Sequence, residues 1–242
     1  MIIKTQAIVL RAVKYGETSL IVTMLTSDQG LQSYIINGVR TEKKSAGKAS
    51  HYIPGSWLQL EAYHREGKSI NRIKEAFAYR LFTSNTTDPV KNAVVLFMTE
   101  LIEKCLKHPE KNEPLFRFFS TKLVELDACE NSEIMHCLLS FTVLLPDQLG
   151  LGLERPSNDS RQQEIMLLDL AEGSFVYQAD AGKHLLTEEE SLLTSGILAG
   201  NNKPVTNEQA SSLLEKFMNF YLLHFPEFGK MKTLSFLKEM IS

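Results

Sequence analysis

The feature that most constrains this chain is a change of hydrophobic period partway along it. Up to about Phe82, apolar residues recur at every second position; beyond Pro89 they recur at every third or fourth. A period of two marks strands with one buried face, and a period near 3.6 marks helices with one apolar stripe. Such a chain is expected to build a β domain first and a helical domain after it.

Within the first part, Ile2 to Val13 alternates, with Ile3, Ala7 and Val9 on one face and Ile8 and Leu10 on the other. Tyr15-Gly16-Glu17 reads as the turn that ends it. Leu20 to Thr26 is rich in β-branched residues and closes on Ser27-Asp28-Gln29-Gly30, a tight-turn sequence, so Leu31 to Ile36 is a third strand. From Asn37 to Lys48 the chain is polar, basic and aperiodic, and reads as a long connection. Trp57 to Tyr63 alternates again, Arg65-Glu66-Gly67-Lys68 makes a basic turn, and Ile70 to Phe82 is a fifth strand. Five short strands with a long connection after the third predict a Greek-key barrel of the OB type.

The second part starts at Thr87 or Asp88, either of which can cap a helix that carries Pro89 in its first turn and stops before Pro109. Further helices are predicted from near Pro114 to Ala128, from Glu133 to Leu149 with Pro146 inside, from Thr187 with a capping-box start, from Asn207 to Phe225, and from Met231 to Ile241. Ile165 to Leu170 and Ser174 to Tyr177 look like a small hairpin. The expected fold class is therefore α+β and multidomain: a five-stranded OB-fold β-barrel over residues 1–82, then an all-α C-terminal domain over residues 83–242 with a β-hairpin insertion. The connection between them is short.

Charge separates the two parts as sharply as period does. Residues 1–82 hold twelve Lys/Arg against six Asp/Glu, a net of +6, so an overall charge of −3 leaves −9 for the remainder. A basic segment in an acidic protein points to a polyanionic partner. Arg11, Lys14, Arg40, Lys43, Lys44, Lys48, Arg65 and Lys68 are the candidate phosphate contacts, and Tyr34, Tyr52 and Tyr63, with Trp57 nearby, are candidate platforms for stacked bases. Core packing competes for each of these aromatics, Trp57 above all. Lys104, Lys107, Arg117 and Lys122 form a smaller basic set that either receives an acidic protein segment or is an ordinary solvated helix face.

Catalytic patterns are missing from the sequence. No phosphate-binding glycine loop, GxGxxG, HExxH or GxSxG occurs, and the six histidines are scattered. Cys137 follows His136 directly, but neighbours on a helix point to different sides. Three cysteines without CxxC spacing read as buried thiols, so no disulfide, metal or other cofactor is expected, and the protein is expected not to be an enzyme. The first residues lack the layout of a signal peptide and no long apolar run follows, which leads to the expectation of a soluble, cytoplasmic protein, and a DNA partner for its basic segment would make it nucleoid-associated.

Several stretches together resemble the bacterial RecO family of DNA repair proteins. They are Gln6-Ala7-Ile8-Val9-Leu10 with Tyr15-Gly16-Glu17 and Leu20 to Thr26, the step Gly38-Val39-Arg40, and the closing Tyr221 to Leu237 with His224-Phe225-Pro226 inside it. The resemblance implies a recombination mediator without catalytic activity. Such a mediator binds single- and double-stranded DNA, anneals complementary strands, engages the single-stranded-DNA-binding protein and RecR, and so helps load RecA. Arg11, Arg40, Lys43 and Lys44 are the DNA contacts it implies here. Many members also carry four cysteines as a zinc site in the second domain; residues 151–183 contain none, so the metal does not carry over. The rival expectation is an adaptor that binds proteins and no DNA.

Overall fold

Five strands close into a barrel: β1 (Ile2–Tyr15), β2 (Ser19–Thr26), β3 (Gly30–Ile36), β4 (Trp57–Tyr63) and β5 (Asn71–Arg80), in the order β1-β2-β3-β5-β4. The computed structural model describes residues 1–39, 49–65, 67–106, 110–155, 166–177 and 184–241. Closure depends on the length of β1. Its residues Ile2 to Ile8 pair with β4 and its residues Ala7 to Tyr15 pair with β2, both antiparallel, and a bulge between Val9 and Arg11 turns the strand from one partner to the other. β3 meets β5 in parallel through Tyr34–Asn71 and Ile35–Arg72, which completes the OB arrangement.

Alternation decides what fills the barrel. Ala7, Val9, Val22, Met24, Tyr34, Ile36, Leu58, Leu60, Ala62 and Ile73 point inward and are buried, with Val39 and Tyr52 closing the same cluster. At the β2–β3 turn, Gly30 has φ +63°, and a Cβ there would run into the Glu110 carbonyl oxygen, so no other residue fits. Asp28 in that turn accepts hydrogen bonds from Ser27 Oγ and Thr5 Oγ1, both at 2.7 Å, and these hold its carboxyl below the usual range.

Two compact units emerge: Met1–Ala128 with Met231–Leu237, and Cys129–Lys230 with Lys238–Ser242. In the first, a single helical turn Ser84–Thr87 leads into α1 (Pro89–Cys105), and α2 (Glu113–Ala128) follows. Of the two possible caps, Asp88 is used; its Oδ1 accepts from the N–H groups of Val90 and Lys91. α1 packs against β1. The last helix, α6 (Thr233–Ile241), starts two residues later than expected because Glu100 of α1 caps it. The Glu100 carboxylate accepts from the backbone N–H groups of Lys232 and Thr233 and from Thr233 Oγ1 at 2.7–3.0 Å.

The second unit holds α3 (Ile134–Gln148), α4 (Glu188–Leu198), α5 (Asn207–His224) and the hairpin β6 (Met166–Asp169) and β7 (Ser174–Tyr177). α3 and α5 pack together, and Tyr221 Oη donates to the Thr142 carbonyl at 2.8 Å. Thr187 and Glu190 cap α4 reciprocally, the box expected there. Burial raises the Glu190 carboxyl, but hydrogen bonds from Thr187 and Ser212 outweigh it and leave a net lowering. The hairpin is held by apolar packing of Leu167, Leu168, Leu170 and Phe175. No cysteine stands there; the three lie at Cys105, Cys129 and Cys137, so the residues present do not fit a four-cysteine zinc site. None of the described helices is long and apolar enough to cross a membrane.

Candidate nucleic-acid interface

The turn between β4 and β5 is built around one buried amide. Asn71 Oδ1 accepts from the Arg65 backbone N–H at 3.0 Å, and its Nδ2 donates to His64 Nδ1 at 3.3 Å. The Met1 ammonium donates to the His64 carbonyl at 3.0 Å. This fixes the strand end while Arg65 and Lys68 stay accessible at the turn and Arg72 at the first outward position of β5. Among the described residues these three cations have no ion-pair partner.

Two adjoining clefts open beside that turn. One, of about 1010 Å³, lies between the turn and β3 and is lined by Gln29, Gln32, Ser33, His64, Arg65 and Lys68 among others. The other, of about 600 Å³, shares His64, Arg65 and Lys68 and adds Tyr63, Ile35 and Arg72. No carboxylate stands among the described lining residues of either. Converging cations, amides and a hydroxyl, with no acid among those residues, suit anionic oxygens such as phosphates.

The site residues expected from sequence divide accordingly. Arg65, Lys68 and Tyr63 come together at these clefts, joined by Arg72. The signal for Arg72 is present in the outward phase of the Asn71-Arg72-Ile73 alternation. Arg11 and Lys14 lie at the far end of β1, where it pairs with β2, and Arg11 Nε donates to Glu103 Oε1 at 2.7 Å. Arg40, Lys43, Lys44, Lys48 and Lys107 lie outside the described residues.

Two aromatic expectations are corrected. Tyr34 is 0% exposed and Tyr52 6% exposed, both inside the barrel, so neither ring offers a face to a base. Burial pushes both hydroxyls up to about 12. Alternation places Tyr34 in a strand but gives no sign of which face is enclosed. Tyr63, at 46% exposure, remains available. In the smaller basic set, Arg117 donates to Glu113 at 2.7 Å and is exposed, whereas Lys122 donates to Glu125 at 2.8 Å with most of its side chain covered. Lys104 is half-buried at the end of α1.

Comparison with known proteins identifies the family. Residues 1–82 match the family model "Recombination protein O N terminal" and residues 86–155 match "Recombination protein O C terminal". The DNA repair protein RecO of Flavobacterium psychrophilum is 32% identical, with all of both chains covered. That of Flavobacterium johnsoniae is 31% identical, also over the whole of both. That of Phocaeicola vulgatus is 31% identical over the same full extent. With its barrel and helical regions both matched, the chain belongs to the RecO family of DNA repair proteins.

Proposed function

We propose that, within its family's role in DNA repair and recombination, the protein is a mediator that binds single- and double-stranded DNA and anneals complementary strands. The observation that carries this reading is the group of cations Arg65, Lys68 and Arg72, without ion-pair partners among the described residues, on the clefts of an OB barrel whose segment bears +6. Phosphates of two strands held against such a surface repel each other less, which favours pairing of their bases. Arg40, Lys43, Lys44 and Lys48 add four more cations to the same segment of sequence.

The division of labour follows charge. Residues 1–82 hold DNA, and residues 83–242, at −9, serve partner proteins: the single-stranded-DNA-binding protein and RecR, through which RecA is loaded. Activity of this kind needs no bond-making group. The test is annealing of complementary labelled oligonucleotides by the pure protein. Acceleration is expected, reduced about tenfold in Arg65→Ala/Lys68→Ala/Arg72→Ala, which removes three cations that neutralise phosphates. A protein that captures its partner proteins but neither binds nor anneals DNA at low salt is an adaptor instead.

A further inference from the structure

The outer face of β4 and β5 runs away from the clefts as a row of exposed rings. Phe77 is 58% exposed and Tyr79 52%, although both lie in the sheet. Beside and between them Ala76 is half-buried and Ala78 exposed, so this end of the strand leaves its large side chains in solvent. That is the reverse of what stability alone favours, since rings of this size belong to cores.

Two bulges shape the same row. Tyr63 pairs with Arg72, Glu61 with Glu75, Gln59 with Phe77, and Trp57 with Arg80. The register slips between Glu61 and Ala62 and again between Trp57 and Leu58, which leaves Lys74 and Tyr79 as the extra residues of β5. Bulges re-aim side chains, and here they add one cation and one ring to the outer face. The Tyr79 ring rests on Trp57 with centroids 4.8 Å apart, and Trp57 is held in turn by Phe116 at 6.1 Å, so the Tyr79 ring is positioned in advance. Lys4 and Lys74 flank the row, both paired to Glu61, and Arg72 and Arg80 stand at its ends.

We propose that Tyr63, Phe77 and Tyr79 form a base-stacking track for unpaired DNA, running along β5 from the phosphate-binding clefts to Trp57. This rests on the DNA-binding reading above and gives it a strand preference. Charge complementarity selects the occupant: Lys4, Arg72, Lys74 and Arg80 outnumber Glu61 and Glu75 along the row, and rings set in a net positive surface suit a chain with a flat face and an anionic group at every unit. Residues two apart on a strand rise by about 7 Å, roughly twice the 3.4 Å spacing of stacked nucleotides in a duplex strand. Bases on Phe77 and Tyr79, which stand two apart on β5, are therefore parted from one another, as a single strand allows and a duplex does not.

Trp57 is the only tryptophan, so its emission reports on the track directly. The experiment titrates the full chain with oligo-dT and with a duplex of equal length, following both Trp57 emission and anisotropy of labelled DNA. The comparison set is wild type, Phe77→Ala/Tyr79→Ala and Phe77→Leu/Tyr79→Leu. Expected are quenching by oligo-dT and single-strand affinity weakened by roughly fivefold or more per ring in both variants, with duplex affinity within about twofold of wild type. Exposure of both side chains leaves the core intact, and circular dichroism verifies it. Wild-type affinity for oligo-dT in both variants with unchanged Trp57 emission overturns the track while leaving DNA binding in place. Failure of the wild type to bind either DNA overturns the DNA-binding reading first. Loss of self-association in the alanine variant alone, with DNA binding intact, makes the row an interface between copies and likewise overturns the track.

Discussion

Two outer faces of one barrel carry apolar side chains, and they have opposite fates. On β1 and β2, Ile8, Leu10 and Leu25 point away from the barrel interior yet are buried, and α1 packs on β1. On β4 and β5, Tyr63, Phe77 and Tyr79 also point outward and stay in solvent. The covered face is aliphatic and has no charge among those three residues, as a packing surface should be. The open face is aromatic and interleaved with charges, the cations Lys4, Arg72, Lys74 and Arg80 and the acids Glu61 and Glu75, and desolvating those charges against a helix would cost several kcal/mol each. Composition within each row thus predicts whether it is a seat for the rest of the chain or a surface for something charged.

Substitutions test that contrast, beginning with the covered face. Leu25→Ala should cost about 2–5 kcal/mol of stability in urea unfolding, because it empties a fully buried site, whereas Phe77→Ala should cost under about 0.5 kcal/mol. Equal costs would erase the distinction. Next comes the seat of the covering helix. Gly55 has φ +84°, and a Cβ there would collide with Val95 Cγ1, so Gly55→Ala should destabilise by about 1–3 kcal/mol. Restoration by the double change with Val95→Ala would apportion that cost between clash and backbone strain.

The cover is itself tied to the chain's end by Glu100. Replacing it with Ala removes four hydrogen bonds from the start of α6 and should cost about 1–2 kcal/mol, with faster amide exchange at Lys232 and Thr233. The smallest effect concerns Asp28. Its carboxyl titrates below the unfolded value of about 3.9, so its stabilisation is complete above that pH and is lost as pH falls through the folded value. Wild type should therefore exceed Asp28→Asn in stability near neutrality by an amount that shrinks below about pH 4. A gap that widens in acid would contradict the hydrogen-bond assignment.

Much of this is legible in the sequence where a local rule governs. Trp57 to Tyr63 appears as a strand with those ends, the Thr187 capping box forms as expected, and the change of period near Pro89 separates barrel from helices. What is not legible depends on partners remote in sequence. Tyr34 and Phe77 sit in equally alternating strands, and only closure of the barrel, which encloses Tyr34 with Val22, Met24 and Leu60, puts one ring inside and the other out. Arg11 meets Glu103 across 92 positions, and Thr233 meets Glu100 across 133, so neither pairing leaves a trace in spacing. Charge points to Arg65 and Lys68 and alternation sets Arg72 outward, but that Arg72 shares their cleft requires the β3–β5 pairing that brings the start of β5 there.

The central claim is that DNA is held on the barrel through its phosphates at the β4–β5 clefts. The direct measurement is the affinity of the full chain for oligo-dT across a salt series, for wild type, Arg65→Ala/Lys68→Ala/Arg72→Ala and Arg40→Ala/Lys43→Ala/Lys44→Ala. A steep wild-type slope of log K against log salt is predicted, shallower by about 2 in the cleft variant because each phosphate left without its cation reduces the slope by about 0.7. A slope identical in the cleft variant and wild type, or no binding by wild type even at low salt, would contradict it.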